Sequence, residues 1–243
     1  MLRLAQLFRH PVKGIGVETL DRASVTQGRC LPLDRAWALA HEAAKPGTGW
    51  RNCANFIRGA KSPALMAVTV TSDGAILTFR HPDRPALRVD PDADPQALID
   101  WVRPLCNPGR AAPSDLVKVD GTAMTDSDYP SISILNLASL RALSDKAGQP
   151  LDPRRFRSNL WFDGGGPWQE FEWIGQTIHV AGIPFEVTER ITRCTATMAS
   201  PESGKVDVDT LRLLQDGWGH RDFGVYAIAR GDGTIRIGDE VTE

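Results

Sequence analysis

Apolar residues in this chain recur mostly at every second position, in short runs broken by Gly, Pro and Asp. Residues 2–8, LRLAQLF, alternate in this way and predict a strand. LMAVTVT (65–71), the turn SDG and AILTFR (75–80) predict a hairpin. GQTIHVAG followed by PFEVTER predicts two more strands around a turn, and GVYAIAR, GDG and TIRIG predict a third hairpin. Helical spacing is confined to three segments. Asp94-Pro95 opens one carrying Leu98, Ile99, Trp101 and Val102. Asn136 opens another with Leu137, Leu140 and Leu143, closed by Gly148, and Asp209 to Gly217 carries Leu211 and Leu214. The pattern predicts a mainly β fold with a few helices, of the barrel or sandwich kind. NPGRAAPSD (107–115) concentrates Pro and Gly and reads as a linker, dividing the chain into 1–112 and 113–243.

Composition narrows the function classes. At 243 residues, 42% hydrophobic and 24% charged, the chain can build a sizeable core. Lys and Arg number 28 against 30 acids, a net charge of −2, which argues against nucleic-acid binding through a long-range field but leaves a local basic pocket open. No apolar run reaches the length of a membrane span. MLRLAQLFRHPVKG lacks the apolar region and cleavage site of a signal peptide, which implies a cytoplasmic protein. Four cysteines (Cys30, Cys53, Cys106, Cys194) and five histidines are scattered without zinc-ligand spacing, and no Walker loop or G-x-G-x-x-G occurs.

The remaining candidates for chemistry sit in turns. HPVKG (10–14) makes a tight turn that projects the Lys13 ammonium; on these residues alone a solvated lysine is the better reading. LPLDRAW places Asp34 and Arg35 at the entrance of a strand, where an exposed ion pair would contribute little. RRFRSNLWF sets three arginines before an apolar strand. If Arg157 and Asn159 lie in that strand, their i, i+2 spacing puts both on one side, where a guanidinium fork and an amide suit an anionic, polar ligand. TDSDYPS (125–131) offers Asp128 and Ser131 as hydrogen-bonding groups, although a plain turn explains it too. DGGGPWQEF lacks a following helix and reads as a turn, not a phosphate loop. In ITRCTATMA, Cys194 follows Arg193, a cation that favours a thiolate; a buried core thiol is the alternative.

Three segments together carry a resemblance. HPVKGIGVETLDRASVTQGRCLPLDRAWAL resembles the N-terminal β-barrel domain that precedes MOSC domains. RRFRSNLWF, ITRCTATMASPESGKVD and FGVYAIARGDGTIRIGDEV resemble the MOSC domain itself. The arrangement is similar to that of the mitochondrial amidoxime-reducing component and its bacterial relatives, and implies an N-terminal β-barrel-like domain plus a MOSC β-barrel domain.

The resemblance implies a molybdenum cofactor (molybdopterin), with one protein cysteine ligating the metal. Cys194 matches that cysteine, next to Arg193. Lys13 and Gly14 match the turn that meets the cofactor phosphate, and Arg35 the arginine of the D-R-x-W strand. Asp128, Tyr129 and Ser131 match the loop beside the metal; Arg157 and Asn159 match the F-R-x-N strand. The implied activity is reduction of a small N-hydroxylated or N-oxygenated substrate, with Cys194, Asp128 and Asn159 at the reacting centre and Asp128 relaying protons. No ferredoxin-type cysteine spacing is present, so electrons are expected from a separate flavin or iron–sulfur protein.

Two departures stand out. GWRNCANFIRGAKSPAL (49–65) replaces the usual T-x-R-Q-x-P segment, and Gly14 replaces the usual serine. Two other functions stay open: sulfur transfer through a Cys194 persulfide, without a preceding pyridoxal-phosphate domain, and non-catalytic carriage of the cofactor.

Overall fold

The strongest alternation, IPFEVTERIT, buries Ile183, Phe185, Val187 and Ile191 and turns most residues between them toward solvent, giving one ten-residue strand. In the computed structural model, which describes residues 1–118 and 123–243, such runs become β1 (Leu2–Arg9), β2 (Glu18–Leu20), β3 (Arg22–Val25), β4 (Trp37–His41), β5 (Thr69–Asp73), β6 (Ile76–His81) and β7 (Arg84–Val89). Helix α1 (Pro95–Val102) and β8 (Pro113–Lys118) follow. Then come β9 (Ile132–Asn136), α2 (Leu137–Ala147), β10 (Leu160–Asp163), β11 (Thr177–Val180) and β12 (Ile183–Thr192). The described chain ends with α3 (Thr210–Trp218), β13 (Asp222–Ala229), β14 (Gly233–Arg236) and β15 (Glu240–Thr242).

Seven strands close into a barrel in the order β10-β9-β13-β12-β11-β15-β1, with β1 returning to β10. Closure removes free sheet edges. It depends on β1, where Leu4 faces Phe162, Leu7 faces Leu160, and Leu2 faces Val241. The barrel is filled by Leu4, Leu7, Ile134, Phe162, Phe185 and Val225, among others. A second core, under β4–β8, β5-β6-β7 and α1, gathers Trp37, Leu39, Leu77, Phe79, Leu98 and Val102. α2 and α3 lie outside the barrel on Phe156, Trp161 and Phe223.

All three α-helices among the described residues begin where a short polar side chain accepts an N-terminal N–H: Asp94 from Ala97, Asn136 from Ala138, Asp209 from Arg212. Gly148 and Gly219 end α2 and α3 in the left-handed conformation. No described helix is long and apolar enough to cross a membrane.

Two strand expectations need correction. TIRIG does not pair back onto GVYAIAR. Both edges of β13 are taken, by β12 and β9, so β14 instead pairs with β3 and buries Ile235 beside Ala23 and Val25. The first hairpin starts at Thr69 because residues 63–67 wind into a 3-10 turn, and a third strand, β7, joins it.

Candidate cofactor site

β1 ends at Arg9, and residues 10–16 fold across the junction between the barrel and the second core. Gly14 lies at φ +72°, where a Cβ would stand 2.8 Å from Ile57 O and 2.9 Å from Arg58 Cα. That close approach requires glycine. Lys13 is buried, not solvated. Its ammonium donates to Met124 O at 2.9 Å, Thr125 O at 3.0 Å and the Asp126 carboxylate at 2.5 Å, which uses all three of its hydrogens. Burial lowers its pKa, and Asp126 works against that shift.

Asp34 is also buried. It accepts the His10 N–H at 2.8 Å and pairs with Arg35. Arg35 donates to Arg157 O at 2.7 Å and Asn159 Oδ1 at 3.3 Å. Asn159 Oδ1 in turn accepts the N–H and hydroxyl of Ser133. Arg157 donates to Gly16 O at 2.8 Å and Val12 O at 3.4 Å. Arg35 and Arg157 both adopt φ +49°, an uncommon backbone conformation for a non-glycine residue and one that clusters at functional sites.

The expectation that a strand projects Arg157 and Asn159 to one side is not met. The strand starts only at Leu160, and Arg157 caps a 3-10 turn over Pro153–Phe156. Arg35 joins the two residues instead.

Cys194 follows β12 and heads the 3-10 turn Thr195–Met198, with its residue exposed. Arg193 points inward, donating to Phe223 O at 2.8 Å and Phe156 O at 2.9 Å. Cys194 contributes electrostatically to both Arg157 and Arg193. Burial, then Arg35, push Arg157 down to about 9, and burial pushes Arg193 down to about 10, so both remain cations at neutral pH. Burial also opposes the charge on Arg35, but Asp34 more than offsets it and the net direction is upward. His10 is held well below the usual histidine range by burial, Arg157 and Arg35, so the ring is neutral.

Models of two domain families match the chain: the MOSC N-terminal beta barrel domain over residues 1–102 and the MOSC domain over residues 122–242. The chain belongs to the MOSC family. Domains of this family are associated with molybdenum-cofactor binding. Among solved structures, the YuaD protein (APC1665) from Bacillus subtilis is 13% identical, over 99% of this chain and 94% of that chain, with a TM-score of 0.48. YiiM from Geobacillus stearothermophilus is 14% identical, over 46% of this chain and 52% of that one, with a TM-score of 0.36. No curated protein matches.

Within this MOSC chain, Lys13, Arg35, Arg157, Asn159 and Arg193 form one connected arrangement around residues 8–16, 124–126 and 156–159. Asp128 is exposed, and its side chain makes no hydrogen bond among the described residues. Tyr129 turns to Thr188 and Glu189, and Ser131 is buried against Ser127 at 2.6 Å. The acid that stands among the cations is Asp126. Its side chain is 66% exposed; desolvation of the carboxyl on its inner side resists ionisation, but Lys13, Arg35 and Arg157 hold its pKa below the usual carboxylate range.

Asp126 and His10 were missed by sequence reasoning. TDSDYPS offers two acids, and nothing in its spacing says which one meets Lys13. Cys53 was missed too: Arg58 donates to its sulfur at 2.6 Å. The same segment meets the Cys194 turn where Thr195 Oγ1 donates to Ala60 O at 3.2 Å.

Four cations (Lys13, Arg35, Arg157, Arg193) thus face two carboxylates, Asp34 and Asp126. That excess suits a ligand with an anionic end. An exposed thiol within electrostatic reach of two guanidiniums suits a soft metal. The residues present therefore fit the family's cofactor.

Proposed function

We propose that this protein is a molybdenum-cofactor-dependent oxidoreductase that reduces small N-hydroxylated or N-oxygenated compounds with electrons from a separate flavin or iron–sulfur protein. The observation that carries the reading is the exposed Cys194 thiol, within electrostatic reach of Arg157 and Arg193, in a site with more cations than carboxylates. When bound, the cofactor supplies the two-electron redox chemistry. Cleavage of each N–O bond consumes two electrons and two protons and gives amine and water.

The chain's own residues position and charge the site. Cys194 is the protein ligand to the metal. Arg35 and Arg157 attract the anionic end of the cofactor, and Asn159 orients Arg35 through its Oδ1. Lys13 fixes the 124–126 loop. Exposed Asp128, whose side chain makes no hydrogen bond among the described residues, carries protons to the site.

The test is Cys194→Ser in protein made in a cofactor-competent host. Wild type should bind about one molybdenum per chain and, with reduced viologen, convert an amidoxime to the amidine and water. The serine variant should lose turnover while melting like wild type. Full turnover by the variant would refute the ligand role. Cyanide-labile sulfur on Cys194 without amidoxime turnover would point to sulfur transfer, which the exposed thiol also permits. Bound cofactor with neither activity would point to a carrier.

A further inference from the structure

The departure of β14 from β13 creates a feature that the cofactor site does not use. β14 and β3 form an isolated two-stranded ribbon in which Arg236 lies directly opposite Arg22 and Thr234 opposite Ser24. Period-two alternation sends Ala23, Val25 and Ile235 into the barrel core, which leaves Arg22, Ser24, Thr234 and Arg236 on the outer face. Like charges directly opposite each other on a ribbon repel. Neither guanidinium has a hydrogen bond or ion pair among the described residues. The Asp239 carboxylate takes the backbone N–H of Arg236 at 2.6 Å instead.

Those four side chains line a cavity of about 380 Å³, walled on the far side by Leu20, Leu31 and Pro32. Arg9 also lines it but is already engaged, by Glu18 at 2.8 Å, Pro32 O at 3.1 Å and Ser72 at 2.6 Å. The available charge therefore belongs to Arg22 and Arg236, with two hydroxyls between them. The volume is that of a small-molecule site.

We propose that this cavity binds a small phosphate monoester, its dianionic head between Arg22 and Arg236 and its apolar substituent against Leu20, Leu31 and Pro32. Two facing guanidiniums without a carboxylate match a dianion, and guanidinium forks match phosphate oxygens. Ser24 and Thr234 add hydroxyl donors. The site is independent of the Cys194 reading, and its failure would leave that reading untouched.

The test is calorimetric titration of the full chain with phenyl phosphate, with phenol as the neutral control. Wild type should bind phenyl phosphate equally with and without bound cofactor, and phenol should not bind. Arg22→Gln and Arg236→Gln should each weaken binding about tenfold or more, as expected for losing a charge-assisted hydrogen bond. Each variant should also melt above wild type in the absence of ligand, because the repulsion is gone, and gain less from phenyl phosphate. Wild-type affinity in both glutamine variants would overturn the proposal. So would binding that survives in them but disappears once the cofactor is bound, since the phosphate would then sit in the cofactor site.

Discussion

Arg35→Ala tests whether the Asp34–Arg35 pair holds the site together. The Asp34 side chain is 1% exposed and that of Arg35 15%, so the pair is largely withdrawn from water. Removing the guanidinium leaves a buried carboxylate whose remaining donor is the His10 N–H, and it frees Arg157 O and Asn159 Oδ1 of one bond each. Breaking a buried ion pair costs about 3–5 kcal/mol. Arg35 also repels Arg157, so its loss relieves some strain and the low end, about 3 kcal/mol, is expected. For a chain of this size that corresponds to a melting temperature roughly 6–12 °C lower.

The diagnostic is the double variant Asp34→Asn/Arg35→Ala, in which the amide carries no uncompensated charge. It should recover roughly half of the loss, a coupling of more than about 1 kcal/mol in a double-mutant cycle. Thermal and urea unfolding of cofactor-free protein at neutral pH would measure both. An Arg35→Ala protein melting within about 2 °C of wild type, or a double variant no better than the single one, would refute the reasoning.

Glu170 gives a pH prediction: burial pushes its carboxyl up to about 7, while Ser139 donates to it at 2.9 Å. Its folded value exceeds the unfolded one near 4.5, so its contribution is full below about pH 4.5 and is lost as pH rises toward and through 7, by about 3 kcal/mol in all. Glu170→Gln should remove that loss, which unfolding curves at pH 5 and pH 8 would show. Lys13→Met should release the 124–126 loop and lower the molybdenum and pterin retained after gel filtration; full retention would exclude a role for Lys13 in the site. Gly14→Ser, which restores the serine usual at that position, should destabilise by at least about 1 kcal/mol because of the positive φ and the approach of Ile57 O. Unchanged melting would contradict this.

Local signals in the sequence were legible because they act over a few residues. Asp94, Asn136 and Asp209 cap the helices they were expected to cap, and the 183–192 strand follows its alternation. Pairing across the chain was not legible in the same way. TIRIG reads as half of a hairpin, and only the occupied edges of β13 explain its move to β3. Cys194, Arg157, Asn159 and Arg35 were identified through the resemblance, yet the contact joining Arg35 to Asn159 spans 124 residues. Nor does sequence announce a left-handed arginine: Arg157 carries the charge that its segment promised, from a backbone conformation that no propensity favours.

The closing of the barrel by β1 also sets a schedule. Leu2–Arg9 needs residues 160–163 on one side and 240–242 on the other. At a synthesis rate of roughly 5–20 residues per second, the strand waits on the order of ten seconds or more before Val241 can reach it. Through that interval Leu4 is unpaired and Leu7 and Phe8 have only the nearby β2, on a segment able to join any exposed sheet edge. Arg3 and Arg9, at the two ends of the strand, are charges of the kind that discourage such pairing. Shielding of a newly made chain would therefore matter most around Leu2 and Leu4, whose partners Val241 and Phe162 are the most distant in sequence.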